Sequence, residues 1–301
     1  MPTLPEGARE LLARQSGVIS RQQAMMQGVT RSQVRTRISR GDWERLLPGV
    51  FRSTDQTMCL TAHLRAAVLW AEPHAYLSGA AAAWWWQLTD IEPASIQITV
   101  PLDSRRRGRD GIKIVRRKLP WKDRSWCRGV PVTSLALTAV HGAVALGRAG
   151  PAMLDRALQR EVGFDAVRRA HERNLGCWGS RAAAELLRAA SDGAASAAER
   201  LLIRAVRKAG IRGGRVNSGL EIAGTVIIPD LTFRAEKIAV EVDGWAWHQS
   251  PDRFQRDRER QNLLTAGGWL VLRFTWSDLN HRMPAVIEQI RQALDRRGSG
   301  T

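Results

Sequence analysis

The segment Ile238–Asp243, IAVEVD, constrains the fold of this chain more than any other. Its β-branched residues alternate with other types, which predicts a strand carrying Ile238, Val240 and Val242 on one face and Glu241 and Asp243 on the other. Two acids at that spacing sit ~6.5 Å apart and repel by roughly 2 kcal/mol at an effective dielectric of about 20. A bound cation would remove the repulsion. Upstream, Pro229-Asp230 opens a second short strand, Leu231 to Phe233, and the polar run Arg234 to Lys237 has the length of a hairpin loop. Such a hairpin brings Asp230 alongside Glu241. Hard divalent ions such as Mg²⁺ or Mn²⁺ take one or two carboxylates together with phosphate oxygens and water, so Asp230, Glu241 and Asp243 form a metal-ligand set suited to phosphodiester chemistry. A solvated sheet face can show the same Glu-x-Asp spacing.

Three blocks in one order, PDLTF, then IAVEVDGWAWH, then RDRERQNLLTAGGWLVLRFTW, resemble the very-short-patch-repair (Vsr-like) branch of the PD-(D/E)xK nuclease superfamily. The resemblance implies a restriction-endonuclease-like α/β fold with a central mixed sheet, metal-dependent DNA cleavage, and Asp230 and Glu241 on the metal. The superfamily usually has a lysine two residues after the glutamate; here Asp243 stands there, which can add a ligand but cannot stabilise a developing anion as lysine does. His248 matches a histidine that this branch uses near the scissile phosphate. Beside Trp245 and Trp247 it could equally be a core residue with satisfied ring nitrogens. Asp257 and Arg260 sit three apart on the following helix, where the resemblance implies nearness to phosphate and the spacing also suits an exposed pair; Arg258 and Arg260 are the candidates to hold the phosphate backbone. An acidic residue on the domain's first helix can complete the metal site in this superfamily, and Glu199 is the residue so placed. Glu199 is also the fourth residue of Ser196-Ala-Ala-Glu199, a capping-box pattern that uses a carboxylate for local reasons alone. The branch's structural zinc is not expected, because no cysteine falls in the stretch.

A length of 301 residues suits two or three domains. The chain has 46 Lys plus Arg against 29 Asp plus Glu, a net charge of +17, which points to a polyanionic partner, DNA. Arginine predominates over lysine, and its planar fork suits bidentate phosphate contacts. Three scattered cysteines, Cys59, Cys127 and Cys177, argue against a disulfide framework or a cysteine zinc cluster and fit a reducing cytoplasm. No export signal or membrane span is read in the sequence.

Residues Ala8 to Arg52 predict three short helices and a wing. Ser20 caps the second helix; Thr30 and Gln33 form a capping box on the third, with Val29 and Val34 as a hydrophobic staple. The third helix offers Arg31, Gln33, Arg35, Arg37 and Arg40, groups that suit phosphates and base edges, although a solvated helix face carries arginines too. Gly41-Asp42 and Pro48-Gly49 turn the two strands of the wing. VTRSQVRTRISRGDWERLLPGVFR resembles the winged helix of AbiEi-type antitoxins, which implies DNA binding and admits a toxin or defence-system partner. Further on, Thr57 to Trp70 and the segment from Ser78 through Trp84-Trp85-Trp86 predict helices, with the tryptophans packing rather than stacking on bases. Ile96 to Val100 and Ile112 to Val115 predict strands around a loop crowded by Arg105, Arg106, Arg107 and Arg109. The expected architecture is α/β multidomain: a winged helix-turn-helix at 1–53, an α+β middle region at 54–192 and a nuclease-like domain at 193–301. The expected activity is metal-dependent DNA cleavage, with a DNA-binding regulator on an inactive nuclease fold as the alternative.

Overall fold

A computed structural model describes residues 3–243 and 251–298; of 194, 195, 243, 251–254, 256 and 257 it describes the backbone alone. The chain forms two compact units, Met1–Leu186 and Leu187–Thr301. No helix among the described residues is long and apolar enough to cross a membrane.

The first unit begins with α1 (Glu6–Arg14), β1 (Val18–Ser20), α2 (Arg21–Met26), α3 (Arg31–Ser39), β2 (Trp43–Leu47) and β3 (Val50–Ser53). Ser20 caps α2, in a full capping box with Gln23, its Oγ accepting from Gln23 N–H, and the Thr30–Gln33 box forms as well: Thr30 Oγ1 accepts from Gln33 N–H while Gln33 Oε1 accepts from Thr30 N–H. Val29 and Val34 are buried in one cluster with Leu12, Ile19, Trp43 and Phe51. The hairpin β2–β3 lies where Gly41-Asp42 and Pro48-Gly49 place it, and the three-residue β1 joins it to give the order β1-β3-β2. So short a strand carries too few residues for its alternation to be read.

The same unit continues through α4 (Leu60–Ala71), β4 (Tyr76–Ser78), α5 (Gly79–Trp85), β5 (Ile96–Val100), β6 (Ile112–Arg116), β7 (Arg124–Cys127), β8 (Val130–Thr133), α6 (Leu135–Leu146), α7 (Gly150–Arg160) and α8 (Phe164–Glu172). The strands form a sheet of order β6-β5-β4-β8-β7. Its core, with Leu64, Leu77, Trp85, Ile98 and Val132, also takes in Val18 and Val50, so residues of the helix-turn-helix segment and of the middle region share one apolar cluster. The tryptophan triplet packs as expected: Trp85 is 1% exposed and donates to Cys127 O, and Trp86 donates to Thr133 O. Ser78 precedes α5 without capping it by side chain, because its hydroxyl accepts from Thr99 Oγ1 instead. Gly142 allows α6 to approach α5: a Cβ there would stand 2.8 Å from Ala83 Cβ. The arginine-crowded loop is tied at its base, where Arg116 donates to Ser104 O and Arg106 O, and Arg106 lies over the Trp70 ring.

Helix α9 (Ser180–Lys208) runs through the division between the units. The helix start that the Ser196-Ala-Ala-Glu199 pattern suggests is therefore corrected. Residues 180–208 are rich in Ala, Leu, Arg and Glu, and one internal glycine, Gly193, costs only about 1 kcal/mol, too little to break such a helix. In the second unit follow β9 (Gly214–Val216), β10 (Leu220–Ile222), β11 (Thr225–Ile227), β12 (Leu231–Phe233), β13 (Ile238–Asp243), α10 (Pro251–Ala266), β14 (Leu270–Thr275), α11 (Trp276–His281) and α12 (Met283–Gly298). The main sheet has the order β14-β13-β12-β9, with β13 parallel to β14 and antiparallel to β12. Ile238, Val240 and Phe274 face a core built with Leu202 and Val206 of α9 and Ile287 and Ile290 of α12. On the opposite face Ala239 packs with Leu220, Ile227 and Leu264.

In the first unit Asp123 is fully buried and is held by Arg173 and by Asn174 Nδ2. Removing one partner of a buried ion pair leaves an uncompensated charge, so Asp123→Ala is expected to cost about 3 kcal/mol of stability, read as a lowered chemical-denaturation midpoint.

Candidate active site

The hairpin of β12 and β13 sets the site. Its register pairs Leu231 with Val240, so the next position places Asp230 opposite Glu241, as the spacing predicts. The Val242 N–H donates to Asp230 Oδ2 at 2.7 Å and fixes that carboxylate against β13. Asn217, held at φ 47° in the turn after β9, donates its N–H to Asp230 O at 3.1 Å and its Nδ2 to Glu199 Oε1 at 2.6 Å. One asparagine thus links the acid on α9 to the acid before β12. In a continuous α9, Glu199 closes no capping box, and its carboxylate is directed to Asn217 instead.

Burial raises the Asp230 pKa above the usual carboxylate range. The Glu199 and Glu241 carboxylates push it the same way, while the Val242 N–H and Arg260 oppose them. Glu199, Asp230 and Glu241 are therefore close enough to feel one another's charge.

Glu241 is 6% exposed, and its counter-charge comes from two arginines. Arg273 Nη2 lies 3.1 Å from Oε2, supplied by the residue directly across the parallel β13–β14 pair. Arg260 Nη2 lies 2.8 Å from Oε1 and also donates to Ile228 O. The Arg260 contact is an ion pair without an aligned hydrogen bond, for Oε1 meets no donor in good geometry. The cation expected to relieve the acids thus has two guanidinium groups already standing at Glu241.

Among the described residues no group of three or more His, Cys, Asp or Glu side chains is disposed to hold a metal ion. Asp243 ends β13, but its side chain, like that of Asp257, lies outside the description, as does all of His248, Trp245 and Trp247. The donors that are described fit a hard divalent ion in kind: the buried Glu241 carboxylate beside the half-buried Asp230, whose pKa is raised first by its burial and then by neighbouring carboxylates. Arg258 is exposed on α10. Arg273 and Asn217 were not among the residues expected. Arg273 left a signal, being the one charge in an otherwise apolar strand, just as Glu241 is in β13 up to Val242.

On the N-terminal helix α3, Arg31, Arg35 and Arg40 are exposed. Arg37 is partly covered, 3.9 Å from Asp42 and over the Trp43 ring, and Gln33 spends its amide oxygen on the cap of α3.

Two family models match the chain: REase_MTES_1575, a restriction-endonuclease-like domain, over residues 199–294, and the transcriptional regulator, AbiEi antitoxin, over 8–54. Among curated proteins, the Type II nicking enzyme V.NaeI of Lentzea aerocolonigenes is 32% identical over 87 residues, 22% of this chain and 52% of the relative. The Type II nicking enzyme V.NmeDIP of Neisseria meningitidis serogroup C is 32% identical over 121 residues, 33% of this chain and 78% of the relative. The chain therefore spans about half the length of the first and over two thirds of the second.

Because the Asp230 pKa is raised on folding, protonated Asp230 favours the fold: that stabilisation is full below the ordinary aspartate pKa and is lost as pH rises through the folded value. Asp230→Asn keeps an oxygen for Val242 N–H and removes the charge. It is expected to raise the melting temperature at pH 7 by on the order of 1–2 °C, with the gain fading below pH ~4. A lower melting temperature at pH 7 would show that the Val242 bond needs the full carboxylate.

Proposed function

Because the chain belongs to the family of the Type II nicking enzyme V.NmeDIP, we propose that it is a metal-dependent DNA endonuclease of very-short-patch-repair type, directed to duplex DNA by its N-terminal helix α3. The observation that carries this reading is the convergence of Asp230 and Glu241 on one hairpin with Glu199 close by, where burial first and those two carboxylates second raise the Asp230 pKa. Like charges gathered out of water are stable only with a counter-charge or a proton, and such gatherings mark sites of chemistry.

In this reading Asp230 and Glu241 hold Mg²⁺ or Mn²⁺, with Asp243 as a further ligand or an orienting group and Glu199 completing the acidic set. The bound ion supplies a Lewis acid for the phosphate and a water of lowered pKa. His248 assists proton transfer. Arg260, which stands against Glu241, and the exposed Arg258 would supply positive charge for a backbone phosphate. Arg273 remains against Glu241 and provides positive charge on a strand face where Asp243 replaces the usual lysine. On α3, Arg31, Arg35, Gln33, Arg37 and Arg40 face the duplex in this reading, the exposed Arg31, Arg35 and Arg40 gripping phosphates or base edges.

The alternative, a DNA-binding regulator on an inactive nuclease fold with a toxin or defence-system partner, is favoured by one observation: both oxygens of Glu241 already face arginine. The AbiEi antitoxin match over residues 8–54 agrees with it.

Supercoiled plasmid separates the two. With Mg²⁺ or Mn²⁺ the purified chain is expected to yield open-circular product, and Asp230→Ala or Glu241→Ala to lower that rate by about a hundredfold, the scale seen when metal-orienting groups are lost. DNA binding in a mobility-shift assay should survive both substitutions. Operator-specific binding with no nicking by the unaltered chain in either ion would select the regulator.

A further inference from the structure

The first unit contains a cavity of about 880 Å³, lined by residues that follow β6, by α6 and by the segment after α8. Arg116, Arg117, Lys118, Arg124 and Arg173 contribute to its wall, and none of its lining residues is an aspartate or glutamate. The nearby acid Asp123 is fully buried and engaged by Arg173 and Asn174. Arg116 and Arg124 donate to main-chain oxygens of Ser104 and Leu119, contacts that orient a guanidinium without cancelling its charge. The wall is therefore strongly cationic.

Two tryptophans also line this cavity and are largely exposed, Trp121 at 75% and Trp178 at 71%. Neither ring is needed by an apolar core, and each has a lysine ammonium over it, Lys122 at 5.4 Å and Lys113 at 4.8 Å.

Deeper in the wall, Arg117 Nη1 lies 3.4 Å from His141 Nδ1, and Arg117 Nη2 donates to Asn174 Oδ1. A guanidinium can only donate, so Nδ1 is the acceptor and the ring proton sits on Nε2. Burial, with Arg117 beside it, pushes the His141 pKa down to about 4, which keeps the ring neutral. Both His141 Nε2 and Arg117 Nε are buried without a hydrogen-bond partner. Two orphaned donors at a cationic wall call for an oxygen acceptor.

We propose that this cavity is a second nucleic-acid site that takes an unpaired segment of a strand, its phosphate oxygens against Arg117, Lys118 and His141 and its bases stacked on Trp121 and Trp178. Only unpaired nucleotides offer both features at once, because the base faces of a duplex are covered by their neighbours. The volume is on the scale of a small ligand, enough for an extruded nucleotide or two and far too small for a double helix. The site stands on residues of the first unit and does not depend on whether the second unit cuts.

The test uses the full chain and fluorescein-labelled (dT)12, with binding followed by anisotropy beside a blunt duplex. Replacing both Trp121 and Trp178 by alanine is expected to weaken (dT)12 binding by about tenfold or more while leaving duplex binding unchanged. Lys118→Gln is expected to lower the slope of log K against log salt for (dT)12 by about 0.7, the loss of one phosphate contact on a single strand. An unaltered melting temperature in each variant ensures that binding, not folding, is read. Unchanged (dT)12 affinity in the tryptophan variant, or an equal fall for the duplex, would overturn the proposal. So would competition by free dTMP as strong as by the oligomer, which would make the cavity a mononucleotide pocket.

Discussion

A carboxylate buried in the middle of an apolar sheet governs the second unit. Leaving Glu241 6% exposed without a partner would cost several kcal/mol, so the surrounding structure has to deliver positive charge to it. Arg273 can do so only if β14 lies parallel to β13 in the observed register, and parallel pairing in turn requires a crossover long enough to hold a helix. That helix is α10, which brings Arg260 to the other carboxylate oxygen. Strand order, crossover and ion pairs are one solution to a single electrostatic demand.

What could be read beforehand was what local physics decides. The Thr30–Gln33 box, the turns around β2 and β3 and the hairpin that sets Asp230 against Glu241 all depend on residues within about a dozen positions of one another. Helix α9 misled because Gly193 followed by Ser196 and Glu199 has the form of a stop and a start, whereas the surrounding Ala-rich sequence carries the helix across at small cost. Asn217 was hidden because its role is to join a helix and a strand end 18 and 13 residues away, through contacts that no periodicity encodes. Arg273 was half visible: a lone base and a lone acid in two apolar strands suggest partnership, but only the register makes them neighbours.

The positive charge of the chain overstates its free cationic surface. Arg65 and Arg128 both lie over the ring of the buried Trp85, at 5.2 and 4.2 Å from its centre, and donate to main-chain oxygens of Arg128 and Trp85 respectively. Arg173 neutralises Asp123, while Arg260 and Arg273 neutralise Glu241. Guanidinium suits such duty because it is weakly hydrated, planar and always charged. The arginine surplus therefore reports internal construction as well as attraction to a polyanion.

Gln33 has a consequence for how bases could be read. A glutamine grips adenine by presenting an amide oxygen and an amide nitrogen together, and here the oxygen is already occupied by the Thr30 N–H. If α3 is the DNA-facing helix, as proposed, its exposed cations are Arg31, Arg35 and, just past its end, Arg40, whose donor pairs match the O6 and N7 acceptors of guanine. On that proposal, the knot that begins the helix favours guanine over adenine as the base it meets.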